Sequence, residues 1–219
     1  MSANVDIQPP PKHLLGMANY DPIIFVVDDD EAVRLSTEML IRSMGLHVES
    51  FESAAEFLED FDPQQPGCVI LDIRMPGMSG LELQEHLNEI QATIPVIFVT
   101  GHGDVPMAVK AMKAGAIDFI QKPFRDQELI DRVHAALDHD SDEREESQIR
   151  ATTQKYVDLL TTRELEVMGL VVDGRANKEI AFDLGLSPRT VEIHRARVMS
   201  KMSAESLPDL VRKVLHWRR

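Results

Sequence analysis

The sequence predicts an α/β domain followed by an all-α domain: a doubly wound, five-stranded parallel sheet, then a four-helix tail. Two observations carry this. Between residues 21 and 138, five short Val/Ile-rich runs alternate with amphipathic stretches, whereas from Tyr156 onward every pattern is helical. Charge divides the chain the same way. Residues 1–140 hold 9 Lys and Arg against 24 Asp and Glu, residues 141–173 hold 4 against 8, and residues 174–219 hold 10 against 5.

The elements follow in order. Residues 1–20 are polar, carry Pro9, Pro10 and Pro11, and read as a flexible leader. The runs Ile23–Val27, Cys68–Leu71, Val96–Val99 and Ile117–Ile120, with a weaker one at His47–Phe51, read as strands. Helical periodicity marks Ala32–Met44, Ala54–Leu58, Leu81–Ile90, Met107–Ala114 and Gln127–Leu137. Continuous apolar strands separated by helices bury both faces of a parallel sheet, which suits a flavodoxin-like domain over 21–138. Residues 139–155, with Asp140, Asp142, Glu143, Glu145 and Glu146, read as a charged linker that can be helical. Residues 156–219 form the helical domain.

Composition excludes several classes. At 219 residues and 43% hydrophobic content the chain can fill two cores. Its single cysteine, Cys68, falls inside a strand, which excludes an intramolecular disulfide and a multi-cysteine zinc site. No apolar run reaches the roughly 18 residues a membrane span needs. The N-terminus lacks the basic-then-apolar order of a secretory signal. A soluble cytoplasmic protein with no membrane partner is expected.

In doubly wound sheets, ligands gather at the carboxyl ends of the strands. Here the first strand runs into Asp28, Asp29 and Asp30, the third ends in Asp72, the fourth in Thr100, and the fifth precedes Lys122 and Pro123. Asp30 reads as a helix cap. Asp28, Asp29 and Asp72 in one crevice repel unless a cation joins them, and all-oxygen donors suit Mg²⁺. A carboxylate beside Mg²⁺ can attack a phosphoryl group, with lysine and threonine neutralising its oxygens.

These residues resemble a known domain. The Asp28–Asp29 pair, Leu71-Asp72-Ile73-Arg74-Met75-Pro76-Gly77, Thr100-Gly101 and Lys122-Pro123-Phe124 look like the receiver domain of two-component response regulators, over Ile23 to Leu137. The resemblance implies that Asp72 accepts phosphate from a sensor histidine kinase. It implies that Asp29, Asp72 and the Arg74 carbonyl hold Mg²⁺ directly, with Asp28 acting through water. Thr100 and Lys122 would bind the phosphoryl oxygens, and Phe119 stands at the family's aromatic switch position or is ordinary strand packing. Phosphoaspartyl hydrolases of the haloacid-dehalogenase type carry a second Asp two residues past the nucleophile; Arg74 stands there instead.

In the tail, Thr161 and Thr162 followed by Arg163, Glu164 and Glu166 open a helix that Asp173-Gly174 stops. A helix from Asn177, its expected cap, to Leu184 leads through Gly185-Leu186-Ser187 to a helix capped by Ser187 with Pro188 first. That is a helix-turn-helix. On its second helix Val191, Val198 and Met202 make the apolar stripe, with His194 at its edge. The opposite face carries Arg189, Glu192, Ile193, Ala196, Arg197 and Ser200. Arg189 suits guanine, Glu192 cytosine N4 and Ile193 a thymine methyl; Lys178, Arg195 and Lys201 suit phosphates.

The segments Leu160-Thr161-Thr162-Arg163-Glu164, Asn177-Lys178-Glu179-Ile180-Ala181, Leu186-Ser187-Pro188-Arg189-Thr190-Val191 and Lys201-Met202 resemble the LuxR-type DNA-binding domain. Receiver plus LuxR-type domain is similar to the NarL/FixJ class, nearest in wording to its FixJ branch. Thr190 joins the DNA-binding set through this motif. Glu192 and Ala196 stand where some relatives carry lysine, so base preference does not transfer. A last helix, about Ser206 to Trp217, presents Leu207, Leu210, Val211, Val214 and Leu215; it either pairs two DNA-binding domains or closes its own core. The expected partners are DNA, a sensor histidine kinase, RNA polymerase and a second copy on phosphorylation. The expected role is regulatory, not enzymatic. A tail that docks on protein, or on RNA, is the alternative; the absence of an aromatic stacking platform disfavours RNA.

Overall fold

A computed structural model describes residues 21–101 and 105–218, and the leader at 1–20 lies outside the described residues. The chain divides into two compact units, Met1–Asp140 and Ser141–Arg219.

In the first unit, strands β1 (Ile23–Val27), β2 (His47–Phe51), β3 (Gly67–Leu71), β4 (Val96–Thr100) and β5 (Asp118–Gln121) form a parallel sheet in the order β2-β1-β3-β4-β5. Helices α1 (Glu31–Ser43), α2 (Ala54–Asp60), α3 (Gly80–Glu89), α4 (Val105–Lys113) and α5 (Asp126–Val157) connect or follow them. Alternate residues of each central strand face opposite cores. Phe25, Val27, Val69, Leu71, Val96 and Phe98 pack with Phe57, Leu83, Leu87 and Ala111 of α2, α3 and α4. Ile24, Val26, Cys68, Ile70, Ile97 and Val99 pack with Ile41, Leu129, Val133 and Ala136 of α1 and α5. Burial on both faces is why these strands read as unbroken apolar runs. Strand β2 lies at the edge and buries only Phe51, which explains its weak signal. Asp30 caps α1, accepting from the Ala32 and Val33 N–H groups.

The chain order reverses between β1 and β3, so a crevice opens at their carboxyl ends. At the other end of β3, the buried carboxylate of Asp140 accepts from the Gly67 N–H at 3.0 Å. Gly67 must be glycine: a Cβ there would lie 1.8 Å from the Ile23 carbonyl oxygen.

Helix α5 takes in the charged stretch that the sequence allows to be helical. One helix of 32 residues runs through both the expected amphipathic segment and the charged stretch 139–155. Leu129, Val133, Ala136 and Asp140 are its buried stripe in the first unit. Beyond Asp140 most side chains are exposed until Thr153 and Val157. A helix without an apolar face leaves no periodic trace in sequence.

In the second unit, α6 (Thr162–Val172), α7 (Asn177–Leu184), α8 (Pro188–Lys201) and α9 (Leu207–Arg218) enclose Val167, Met168, Val171, Ile180, Val191, Val198, Met202, Leu210 and Val214, with Val157 of α5. Each large apolar side chain so buried contributes roughly 1.5–3 kcal/mol. Gly185 ends α7 with φ +65°, and Ser187 caps α8 by accepting from the Thr190 N–H at 3.1 Å. The cap of α7 is Ala176, not Asn177: Glu179 reaches back to the Ala176 N–H at 2.8 Å. Asn177 Oδ1 instead accepts from Arg195. The α9 stripe divides, with Leu210 and Val214 buried while Leu207 and Leu215 are exposed.

Candidate functional site

At the crevice, the buried carboxylates of Asp28 and Asp72 converge on one cation. Lys122 Nζ lies 2.5 Å from Asp28 Oδ2 and 3.2 Å from Asp72 Oδ1. Each acid is tied further. Asp28 Oδ1 accepts from the Asp30 N–H at 3.0 Å, and Asp72 Oδ2 accepts from the Arg74 N–H at 2.6 Å. Burial pushes the Asp72 carboxyl above the ordinary carboxylate range, although Lys122 and the Arg74 N–H pull the other way. Burial alone would lower the Lys122 ammonium, but its bond to Asp28 and the charges of Asp28 and Asp72 lift it above the usual lysine value. An ammonium between two carboxylates leaves one uncompensated negative charge, in a site lined by oxygen.

Thr100 ends β4 fully buried, and its carbonyl accepts from the Lys122 N–H at 2.9 Å, which ties the threonine to the lysine's strand. Phe119, paired in register with Phe98 two residues before Thr100, is half-buried against the core formed with α2, α3 and α4. Gly80 begins α3 against the end of β3: a Cβ there would lie 2.1 Å from the Asp72 carbonyl oxygen.

Asp29 is the exception. It is exposed, and among the described residues no group of three or more His, Cys, Asp and Glu side chains is arranged to hold a metal ion. The donor chemistry nevertheless fits a hard divalent cation. Two buried carboxylates already share one positive charge, their donor atoms are all oxygen, and a third carboxylate stands exposed on the adjoining residue.

The second unit carries the exposed groups expected of a nucleic-acid face. Arg189, Glu192, Ile193, Ala196 and Arg197 on α8 and Lys178 on α7 are exposed, while Val191, Val198 and Met202 are buried behind them. Thr190 is half-buried, its hydroxyl 2.8 Å from that of Ser187. His194 is half-buried with its Nδ1 enclosed. Two residues read as phosphate contacts also bond inside the unit. Arg195 donates to Asn177 Oδ1 at 2.6 Å, and Lys201 donates to Glu164 Oε2 at 2.6 Å and to the Leu159 carbonyl at 2.9 Å. Sequence could not pair Lys201 with an acid 37 residues away. Nor did it single out Arg34, whose guanidinium reaches the carbonyl of Asp28.

Residues 24–134 match the response regulator receiver domain, and residues 158–214 match the bacterial regulatory proteins of the luxR family. The chain therefore belongs to the response regulators, as a transcriptional regulator that joins a receiver to a LuxR-type DNA-binding domain. Within them it falls in the NarL/FixJ class. It is 50% identical to the transcriptional regulatory protein FixJ of Azorhizobium caulinodans, over 88% of this chain and 91% of that protein. It is 49% identical to nodulation protein W of Bradyrhizobium diazoefficiens, over 89% and 86%. The solved response regulator StyR superposes with a TM-score of 0.75 at 46% identity, covering 89% of this chain and 98% of that one. Full-length FixJ from B. japonicum gives 0.56 at 40% identity, covering 90% and 97%. These relatives are regulators, not enzymes. No described helix is long and apolar enough to cross a membrane.

Proposed function

We propose that a sensor histidine kinase phosphorylates Asp72, and that the modified receiver (residues 21–138) promotes dimerisation and promoter binding by residues 156–219, with 139–155 between them. The observation that carries this is the Lys122 ammonium shared by Asp28 and Asp72 at the carboxyl ends of β1 and β3. A carboxylate oxygen of Asp72 forms the new P–O bond as the P–N bond to the kinase's histidine breaks, and the imidazole nitrogen leaves with the electron pair. Lys122 and Thr100 hold the phosphoryl oxygens. Asp28, Asp29, Asp72 and the Arg74 carbonyl would hold Mg²⁺, which when bound neutralises charge on the phosphoryl group.

The readout is a two-state receiver in which Thr100 moves toward the phosphoryl group and Phe119 follows. Val105, Val109 and Met112 leave an exposed apolar strip on α4, which supports pairing of two receivers there. Pairing raises the effective concentration of two tethered DNA-binding domains. The reading places the protein in the cytoplasm, with its kinase, promoter DNA and RNA polymerase as partners. Arg189, Glu192, Ile193, Ala196 and Arg197 would face base edges and Lys178 the phosphates.

The test is labelling by a small phosphodonor together with sedimentation, with and without beryllofluoride. The wild type should take up label and shift toward dimer, and Asp72→Asn should do neither. Persistent labelling of Asp72→Asn would remove Asp72 as the acceptor.

A further inference from the structure

Arg34 stands on the first turn of α1, outside the groups assigned to the pocket. Its N–H makes an ordinary helical bond to the Asp30 carbonyl at 2.9 Å. Its half-buried guanidinium turns back toward β1 and donates from Nη1 to the Asp28 carbonyl at 2.7 Å. That carbonyl belongs to the peptide joining the two acids, Asp28 and Asp29.

The peptide is planar and trans, so holding its C=O toward Arg34 also fixes where its N–H points. The direction in which the chain carries Asp29 away from β1 is thereby constrained. The other ties in this loop hold its two ends. The Asp28 N–H donates to the Phe51 carbonyl at 3.3 Å, Asp28 Oδ1 accepts from the Asp30 N–H, and Asp30 caps α1. Arg34 holds the peptide between them.

We propose that Arg34 is a positioning residue for the divalent cation: it orients the Asp28–Asp29 peptide so that both carboxylates can serve one ion. This rests on the reading of the Asp72 pocket as a Mg²⁺-dependent phosphoacceptor site. Two effects of Arg34 oppose each other. Its positive charge repels a cation, whereas its hydrogen bond organises the donors. The repulsion is weakened because the guanidinium is half-exposed to water and lies beside acids. Outer-shell partners of metal ligands change affinity 10–100-fold when removed, so organisation is the larger effect.

The experiment is calorimetric titration of the unphosphorylated full chain with MgCl₂, paired with labelling rates from a small phosphodonor at low and saturating Mg²⁺. Arg34→Met should raise the Kd for Mg²⁺ about tenfold. Its labelling rate should fall at low Mg²⁺ and return to the wild-type rate at saturation, a split that general loss of structure does not produce. Arg34→Gln, too short to span to the Asp28 carbonyl, carries the same test should the Met variant not fold. An unchanged or lower Kd in the folded variant overturns the proposal. Wild-type protein that neither binds Mg²⁺ nor labels at Asp72 overturns the underlying reading instead.

Discussion

Lys201 on α8 and Glu164 on α6 share a bond of 2.6 Å, and the acid is only 2% exposed. The same oxygen of Glu164 accepts from the Thr161 N–H at 2.9 Å, closing the capping box of α6. One carboxylate thus starts α6 and anchors the last turn of α8, the helix that carries Arg189 and Arg197.

Lys201→Met should therefore act on stability rather than on phosphate contacts. Breaking a pair with one buried member should cost the second unit about 2 kcal/mol, less than a fully buried pair because the lysine is partly exposed. Trp217, the chain's single tryptophan, packs against that unit's core and reports its unfolding by fluorescence. The salt slope of DNA binding should stay at the wild-type value, since this ammonium is already neutralised. A flattened slope would return Lys201 to the phosphate-binding set.

Acid should loosen the same joint. The Lys201 hydrogen bond, followed by the Thr161 N–H, holds the Glu164 carboxyl down at about 2 from its ordinary value of 4.5. A depressed carboxylate contributes stability that is complete above 4.5 and is lost as pH falls toward 2. Denaturant midpoints followed through Trp217 should drop across that window. The drop should shrink in Glu164→Gln, and an equally steep fall in that variant would exclude Glu164 as its source.

Lys122→Met leaves two buried carboxylates facing each other. The receiver should lose about 3 kcal/mol at pH 7, measured by urea unfolding followed by circular dichroism. Burial already raises Asp72 above its ordinary 3.8. A raised carboxyl penalises folding above its folded pKa, and the penalty disappears as pH falls toward the unfolded value. The variant should thus lose less relative to wild type at pH 4.5 than at pH 7. A loss that is the same at both values would show that the two acids do not repel.

Arg189→Ala should relax sequence preference at one base pair by about 1–3 kcal/mol, measured by competition with substituted operators. Lys178→Ala should weaken binding to all duplexes alike and reduce the salt slope by about one unit. If both substitutions leave binding unchanged, α8 is not the reading helix.

The fold was legible where burial is one-sided or complete. Central strands announced themselves because Ile24 through Val27 and Cys68 through Leu71 are buried on both faces. Helix caps at Asp30, Thr161 and Ser187 were legible because capping is a local property of sequence. The stretch past Asp140 was legible only as a charged segment able to be helical, because its polar residues repeat no pattern. At the pocket, strand ends delivered Asp28, Asp72 and Lys122 to one place, which topology alone implies. The position of the Asp29 side chain, the engagement of Lys201 and the reach of Arg34 depend on rotamers and distant partners, which residue order does not encode.

Gly80 sets a boundary on the pocket. With 2.1 Å between its missing Cβ position and the Asp72 carbonyl, and 3.0 Å to Leu71 Cγ, the start of α3 lies directly against the backbone of Asp72. That wall has no slack. Under the proposed phosphorylation, the backbone of Asp72 therefore cannot retreat toward α3, and the strain of a new group falls on the side chains that meet its carboxylate, Lys122 first.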